Sequence, residues 1–178
     1  MKIDNLTTLL QEEIKDIYDA EKRLVRAIPK MAKATSSEEL RTALLEHLEV
    51  TRTHVERIEK IFELLNVPAK AKPCAGIKGI IEEGEATMGQ DGEATLLDTA
   101  IIGAAQRVEH YEMAAYASAR TMAEHLGKGE IAALLEKTWG EEREADEKLA
   151  ELAEQLLANM QGGRSERFTK QPSKTAAE

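Results

Sequence analysis

The stretch EATLLDTAIIGAAQRVEHYEMAAYASARTMAEHL, residues 93–126, contains no proline and a single glycine. At ~100° per residue, Leu97, Ile101, Ala105, Val108, Ala115, Ala119, Met122 and Leu126 fall on one side of a helix. Glu112 lies near the middle of that apolar stripe, and Glu109 lies toward its edge. Gly127-Lys128-Gly129 stops the tract.

Similar tracts lie on either side. The first runs from about Asp4 to Ala34, and Pro29 inside it predicts a kink or local distortion of its last turns. Thr35-Ser36-Ser37 forms a turn, in which Ser36 and Glu39 have capping-box spacing. The second runs from about Ser37 to Leu65 and stops at Asn66-Val67-Pro68. A loop over 66–74 leads to a short helix from Gly76 to about Met88. The last tract runs from about Glu130 to Met160, ahead of Gly162-Gly163. Residues 1–161 read as one helical domain, and 162–178 as a disordered polar tail.

Four long helices joined by two short turns and one long crossover predict an all-α, ferritin-like four-helix bundle. It consists of two antiparallel hairpins with a short extra helix in the crossover. A coiled-coil hairpin that buries its stripes only on dimerising is the alternative.

Composition agrees with this reading. Of 178 residues, 42% are hydrophobic, 32% charged and 3% aromatic, too few aromatics for an all-β fold. No apolar run approaches the ~20 residues of a membrane span, and the N-terminus MKIDNLTTLLQEE has no apolar signal core. A net charge of −9 disfavours nucleic acid as a partner. One cysteine, Cys74, permits neither an internal disulfide nor a thiolate zinc site, so a cytoplasmic location is expected.

The informative residues are polar ones on apolar stripes. Glu21 is central on the first helix, Glu112 on the third long tract and Glu142 on the fourth, with Asp146 on its flank. On the second helix His47, Thr51 and His54 share the apolar side. Glu21, His54, Glu112 and Glu142 lie about 14–18 residues from their hairpin turns, which places them at one level of the bundle. An ionised carboxylate in a dry core is costly unless paired or metal-bound. Inward Glu and His at one level is how di-iron and di-manganese bundles are built. The donor set suits Fe or Mn, with Zn less favoured. Pairing with Arg23, Arg52 or Arg107 is the structural alternative. Tyr18 and Tyr116 flank the level, while Glu56, Glu59, Glu141 and Glu144 read as solvated. Cys74 follows Lys72 and precedes a helix start, which allows a lowered thiol pKa, although a structural loop thiol is the simpler reading.

Five segments together carry a resemblance: EKRLVRAIPKMAKATSSEEL (21–40), HLEVTRTHVERIEKIFELL (47–65), CAGIKGIIEEGEA (74–86), AAQRVEHYEMAAY (104–116) and EEREADEKLAELA (141–153). Over residues 1 to about 160 the chain resembles the bacterial YciE/YciF-like stress proteins, a ferritin-superfamily domain family without an assigned reaction. The resemblance implies a ferritin-like bundle, a cytoplasmic homodimer and a link to stress. The superfamily pattern has Glu on the first and third helices and Glu-x-x-His on the second and fourth. Glu21 and Glu112 match, whereas Thr51-x-x-His54 and Glu142-x-x-Ala145 each keep one ligand of two. Val50 and Gly140 also stand where the family usually has Glu.

Two functions follow as expectations. One is Fe or Mn binding by Glu21, His54, Glu112 and Glu142, with Glu109, His47 and Asp146 as further ligands or supporting groups, for oxygen, peroxide or iron handling. The other is a non-enzymatic dimeric structural or interaction protein with an empty or degenerate site.

Overall fold

The computed structural model describes residues 3–169, and side-chain surroundings through 160. It contains five helices and, among the described residues, no strand: α1 (Leu6–Ala34), α2 (Glu38–Leu64), α3 (Ala75–Met88), α4 (Ala94–His125) and α5 (Gly129–Thr169). Among the described residues no helix is long and apolar enough to cross a membrane.

Helices α1 and α2 pack as one hairpin, and α4 and α5 as the other; α1 meets α4 and α2 meets α5. Contacts along the chain fix the directions. Asp98 at the start of α4 bonds Thr35 and Ser36 at the end of α1, so these two helices are antiparallel. Lys148 on α5 meets Glu46 near the start of α2, so this pair is antiparallel too. The crossover therefore traverses the length of the bundle, as in a ferritin-like fold. The Lys72 N–H donates to the Lys15 carbonyl at 3.0 Å. The Cys74 N–H donates to Asp19 at 2.8 Å. From there α3 climbs beside α1 to the Lys30–Glu85 pair.

The turns differ in detail from their predicted chemistry. Ser37, not Ser36, caps α2, its Oγ accepting from the Leu40 N–H at 3.2 Å. The N–H groups of both Ser36 and Ser37 are held by Asp98 at 2.9 and 2.7 Å. A distant carboxylate thus supplies the second half of the cap, which local spacing does not reveal. Asn66 (φ 55°) and Gly127 (φ 67°) adopt left-handed backbone and close α2 and α4. The Val67 N–H reaches the Phe62 carbonyl and the Lys128 N–H the Ala123 carbonyl, as that closure requires.

Pro29 lies inside α1 without ending it. Pro29 itself is exposed, and the Val25 carbonyl four residues earlier loses its helical donor. Helix α5 passes through Gly162 and Gly163, where the sequence predicts a stop. A helical glycine costs about 1 kcal/mol relative to alanine, which weakens a helix without forbidding it. Of the tail at 162–178, residues 170–178 lie outside the described residues.

The core is divided in two. One apolar cluster includes Leu24, Ile28, Leu40, Leu48, Ile101, Val108 and Leu149. The other includes Leu10, Ile14, Ile58, Phe62, Ala119, Ile131 and Leu135. Between them Glu21, Thr51, His54, Glu109, Glu112, Thr138 and Glu142 are all buried. Four helices thus place polar groups in one layer that both ends of the bundle shield from water.

Candidate metal centre

Glu21 and Glu142 are fully buried, and Glu112 and Glu109 are 2% and 3% exposed. Glu109 is therefore an inward residue, not the edge position its place on the stripe suggests. His54 Nδ1 lies 2.9 Å from Glu142 Oε1 and 3.4 Å from Glu21 Oε1. His47 Nε2 lies 3.5 Å from both Glu109 Oε2 and Glu142 Oε2. These contacts form two groups whose donor atoms lie within 4.8 Å of one another: Glu21, His54 and Glu142, and His47, Glu109 and Glu142. Glu142 belongs to both, with one oxygen in each.

Hydrogen bonding does not satisfy this layer. Glu21 Oε2, His54 Nδ1, Glu109 Oε2, both oxygens of Glu112 and both of Glu142 are buried without a hydrogen-bond partner. A buried polar atom left in this way costs about 1–3 kcal/mol. The arginines that might have compensated pair elsewhere: Arg23 with Asp19, Arg52 with Glu49 and Arg107 with Glu83. Among the described residues no lysine or arginine forms an ion pair with the four inward glutamates.

The supporting contacts orient the donors. His54 Nε2 is 2.9 Å from Glu141 Oε2, and Arg57 Nη1 donates to the same oxygen at 2.7 Å. Arg57 also donates to Thr138. With one ring nitrogen occupied by a carboxylate, Nδ1 is turned toward Glu21 and Glu142, as ligating histidines commonly are. The Tyr116 hydroxyl donates to Glu21 Oε1.

Burial opposes charge on His54, yet the contacts with Glu141, Glu142 and Glu21 outweigh it and push its pKa up to about 11. Burial, joined by the neighbouring carboxylates, holds Glu109 and Glu112 well above the usual carboxylate range. Glu142 is lowered, because His54 beside it overrides the effect of burial. Burial lowers His47, leaving it neutral with a free lone pair.

The structure gathers Glu21, His54, Glu142, Glu109 and His47 into the two groups, buries Glu112 where the charges of Glu21, Glu142 and Glu109 act on it but in neither group, and leaves Asp146 out. Asp146 instead accepts from Gln106 at 2.9 Å and lies 3.2 Å from His110 Nε2, tying α5 to α4 away from the layer. Thr51 faces inward but donates back to the His47 carbonyl at 2.9 Å. Glu141 is not a solvated residue but the partner of His54 and Arg57. Arg57 lies three residues after His54, on the same helix face, which is the signal that sequence offers for it. Tyr18 donates to Glu59 at 2.6 Å instead of joining the layer. Cys74 caps α3, lies 2.9 Å from the Tyr111 hydroxyl, and is pushed up by burial, not lowered. Lys72 faces Glu12 and Asp16 instead of the thiol.

The profile of a domain of unknown function, DUF892, matches residues 5–161. The chain belongs to the DUF892 family. It is 43% identical to Protein YciF of Escherichia coli (strain K12) over 141 residues, 79% of this chain and 85% of YciF. The crystal structure of the E. coli stress protein YciF superposes with a TM-score of 0.84 at 38% identity, covering 87% of this chain and 98% of that one. YcfI from Rhodopseudomonas palustris gives 0.82 at 36% identity, with 84% and 95% covered. This DUF892 chain is therefore a homologue of a stress protein.

Proposed function

We propose that this protein binds two divalent cations, iron or manganese, in the polar layer and serves oxygen, peroxide or iron handling under stress. Seven buried donor atoms on five side chains, with no hydrogen-bond partner and, among the described residues, no lysine or arginine paired with them, carry this reading. Glu21, His54 and Glu142 would hold one cation, and His47, Glu109 and Glu142 the other. Glu112 supplies the remaining oxygens. Oxygen and imidazole donors suit these metals, with zinc as the comparison ion. Bound iron or manganese would supply electron exchange with an oxygen species. The chain's own contribution is to orient His54 through Glu141 and Arg57, to keep a proton on Tyr116 at Glu21, and to exclude water from above and below.

The same reading includes a cytoplasmic homodimer; the single buried thiol fits a reducing compartment. Sedimentation of the full chain tests the dimer. Metal analysis of protein from iron- or manganese-supplemented cells tests the site, with about two ions per chain expected and one or fewer in Glu142→Gln. Fewer than about 0.1 ion per chain would instead favour a purely structural protein.

A further inference from the structure

Between α2 and α5 a cavity of about 250 Å³ reaches the polar layer from the surface. Its walls include Ala43, Val50, Ala145 and Leu149, all small or apolar. His47 and Glu109 also line it. Glu109 is 3% exposed and its Oε2 has no partner, so a buried, unsatisfied oxygen borders the cavity. His47, at 13% side-chain exposure, is the most accessible of the inward donors, whereas His54 is fully buried. Glu46, Glu144 and Lys148 also line it, and Lys148 bonds Glu46 across from α5 to α2 at 2.6 Å.

We propose that this cavity is the route by which a small uncharged molecule reaches the His47–Glu109 side of the layer. The volume is about eight times the ~30 Å³ that one water occupies in the liquid, so the cavity accommodates more than a water or a diatomic gas. Acidic residues outnumber Lys148 around it and repel anions. The carboxylates of Glu46, Glu141 and Glu144 attract cations, but the apolar stretches of wall at Ala43, Val50, Ala145 and Leu149 offer nothing to replace a cation's hydration, which is costly to remove. A neutral molecule with an apolar body meets neither barrier. What it meets at the inner end, a metal pair, rests on the reading above; the route itself does not.

The test alkylates the full-length protein with three reagents of similar size: neutral iodoacetamide, anionic iodoacetate and cationic 2-bromoethylamine. Peptide mass spectrometry follows His47, with exposed His110 and His125 as references. Relative to those references, iodoacetamide is expected to label His47 at least tenfold faster than either charged reagent, with His54 unlabelled. Ala145→Phe, or Val50→Phe should the first variant fold poorly, is expected to slow labelling of His47 at least tenfold and leave His110 and His125 unchanged. An unlabelled His47, a charged reagent as fast as the neutral one, or a filled cavity without effect would overturn the proposal. The same reaction after addition of Mn(II) separates the two readings. Protection of His47 supports both, whereas lack of protection with labelling otherwise as expected counts against the metal and leaves the route standing.

Discussion

Neither oxygen of Glu112 has a partner, although the side chain is 2% exposed. Such a residue weakens the apoprotein, and on the proposed reading a bound cation would offset that cost. Glu112→Leu therefore removes a buried polar cost of about 1–3 kcal/mol, raising the apoprotein's Tm by about 2–10 °C. It also abolishes any further rise on adding Mn(II) or Fe(II). Calorimetry of both forms checks this, and a lower Tm in the apo variant would contradict it. Arg57 acts at one remove, by holding Glu141 against His54. Arg57→Gln should reduce metal affinity about 10–100-fold, the usual effect of losing such a supporting contact. Equilibrium dialysis reads it, with the far-ultraviolet circular dichroism unchanged.

The elements are held in register by polar ties as well as by the two apolar clusters. Tyr18 on α1 donates to Glu59 on α2. Burial, with the Glu59 carboxylate, pushes its pKa up to about 12. The folded state then keeps a proton that the unfolded chain loses near pH 10. That contribution is complete below pH 10 and is lost as pH rises toward 12. Tyr18→Phe should cost about 1–2 kcal/mol at pH 8 and flatten the fall in stability between pH 10 and 12. Denaturant melts across that range decide it. Helix α3 is placed by close approach: a Cβ on Gly76 would stand 2.6 Å from the Tyr111 ring. The position therefore needs glycine for space, not for backbone freedom.

Across the whole molecule, the proposed metal and protons would compete for one layer. His54 is pushed up to about 11 and so carries a proton at neutral pH, while burial raises Glu109 and Glu112, which keep their protons to higher pH than ordinary carboxylates. Binding must release those protons, so affinity rises as pH rises. At a metal concentration 100-fold above Kd, each site stabilises the fold by about 2.7 kcal/mol. The increase in Tm on adding Mn(II) should grow between pH 5.5 and 8, and titration calorimetry in buffers of different ionisation enthalpy should show proton release. A Tm shift that shrinks as pH rises would reverse the sign and contradict the linkage.

The sequence by itself determined the helices, the hairpin pairing and the crossover, because apolar period and turn residues are local signals. It also selected Glu21, His54, Glu112 and Glu142, since a charge in the middle of an apolar stripe is a local anomaly. Only the tertiary structure decided which flanking residues point inward. Glu109 and Asp146 both lie beside a stripe, yet the packing of α4 against α5 buries the first and hands the second to Gln106 and His110. Helical angle fixes a side chain's direction to within a face; what it meets there depends on a neighbouring helix that local periodicity does not specify. The capping of α2 by Asp98 and the orientation of His54 by Glu141 and Arg57 were hidden for the same reason. Each joins residues more than 60 positions apart or on separate helices, and only folding makes them neighbours.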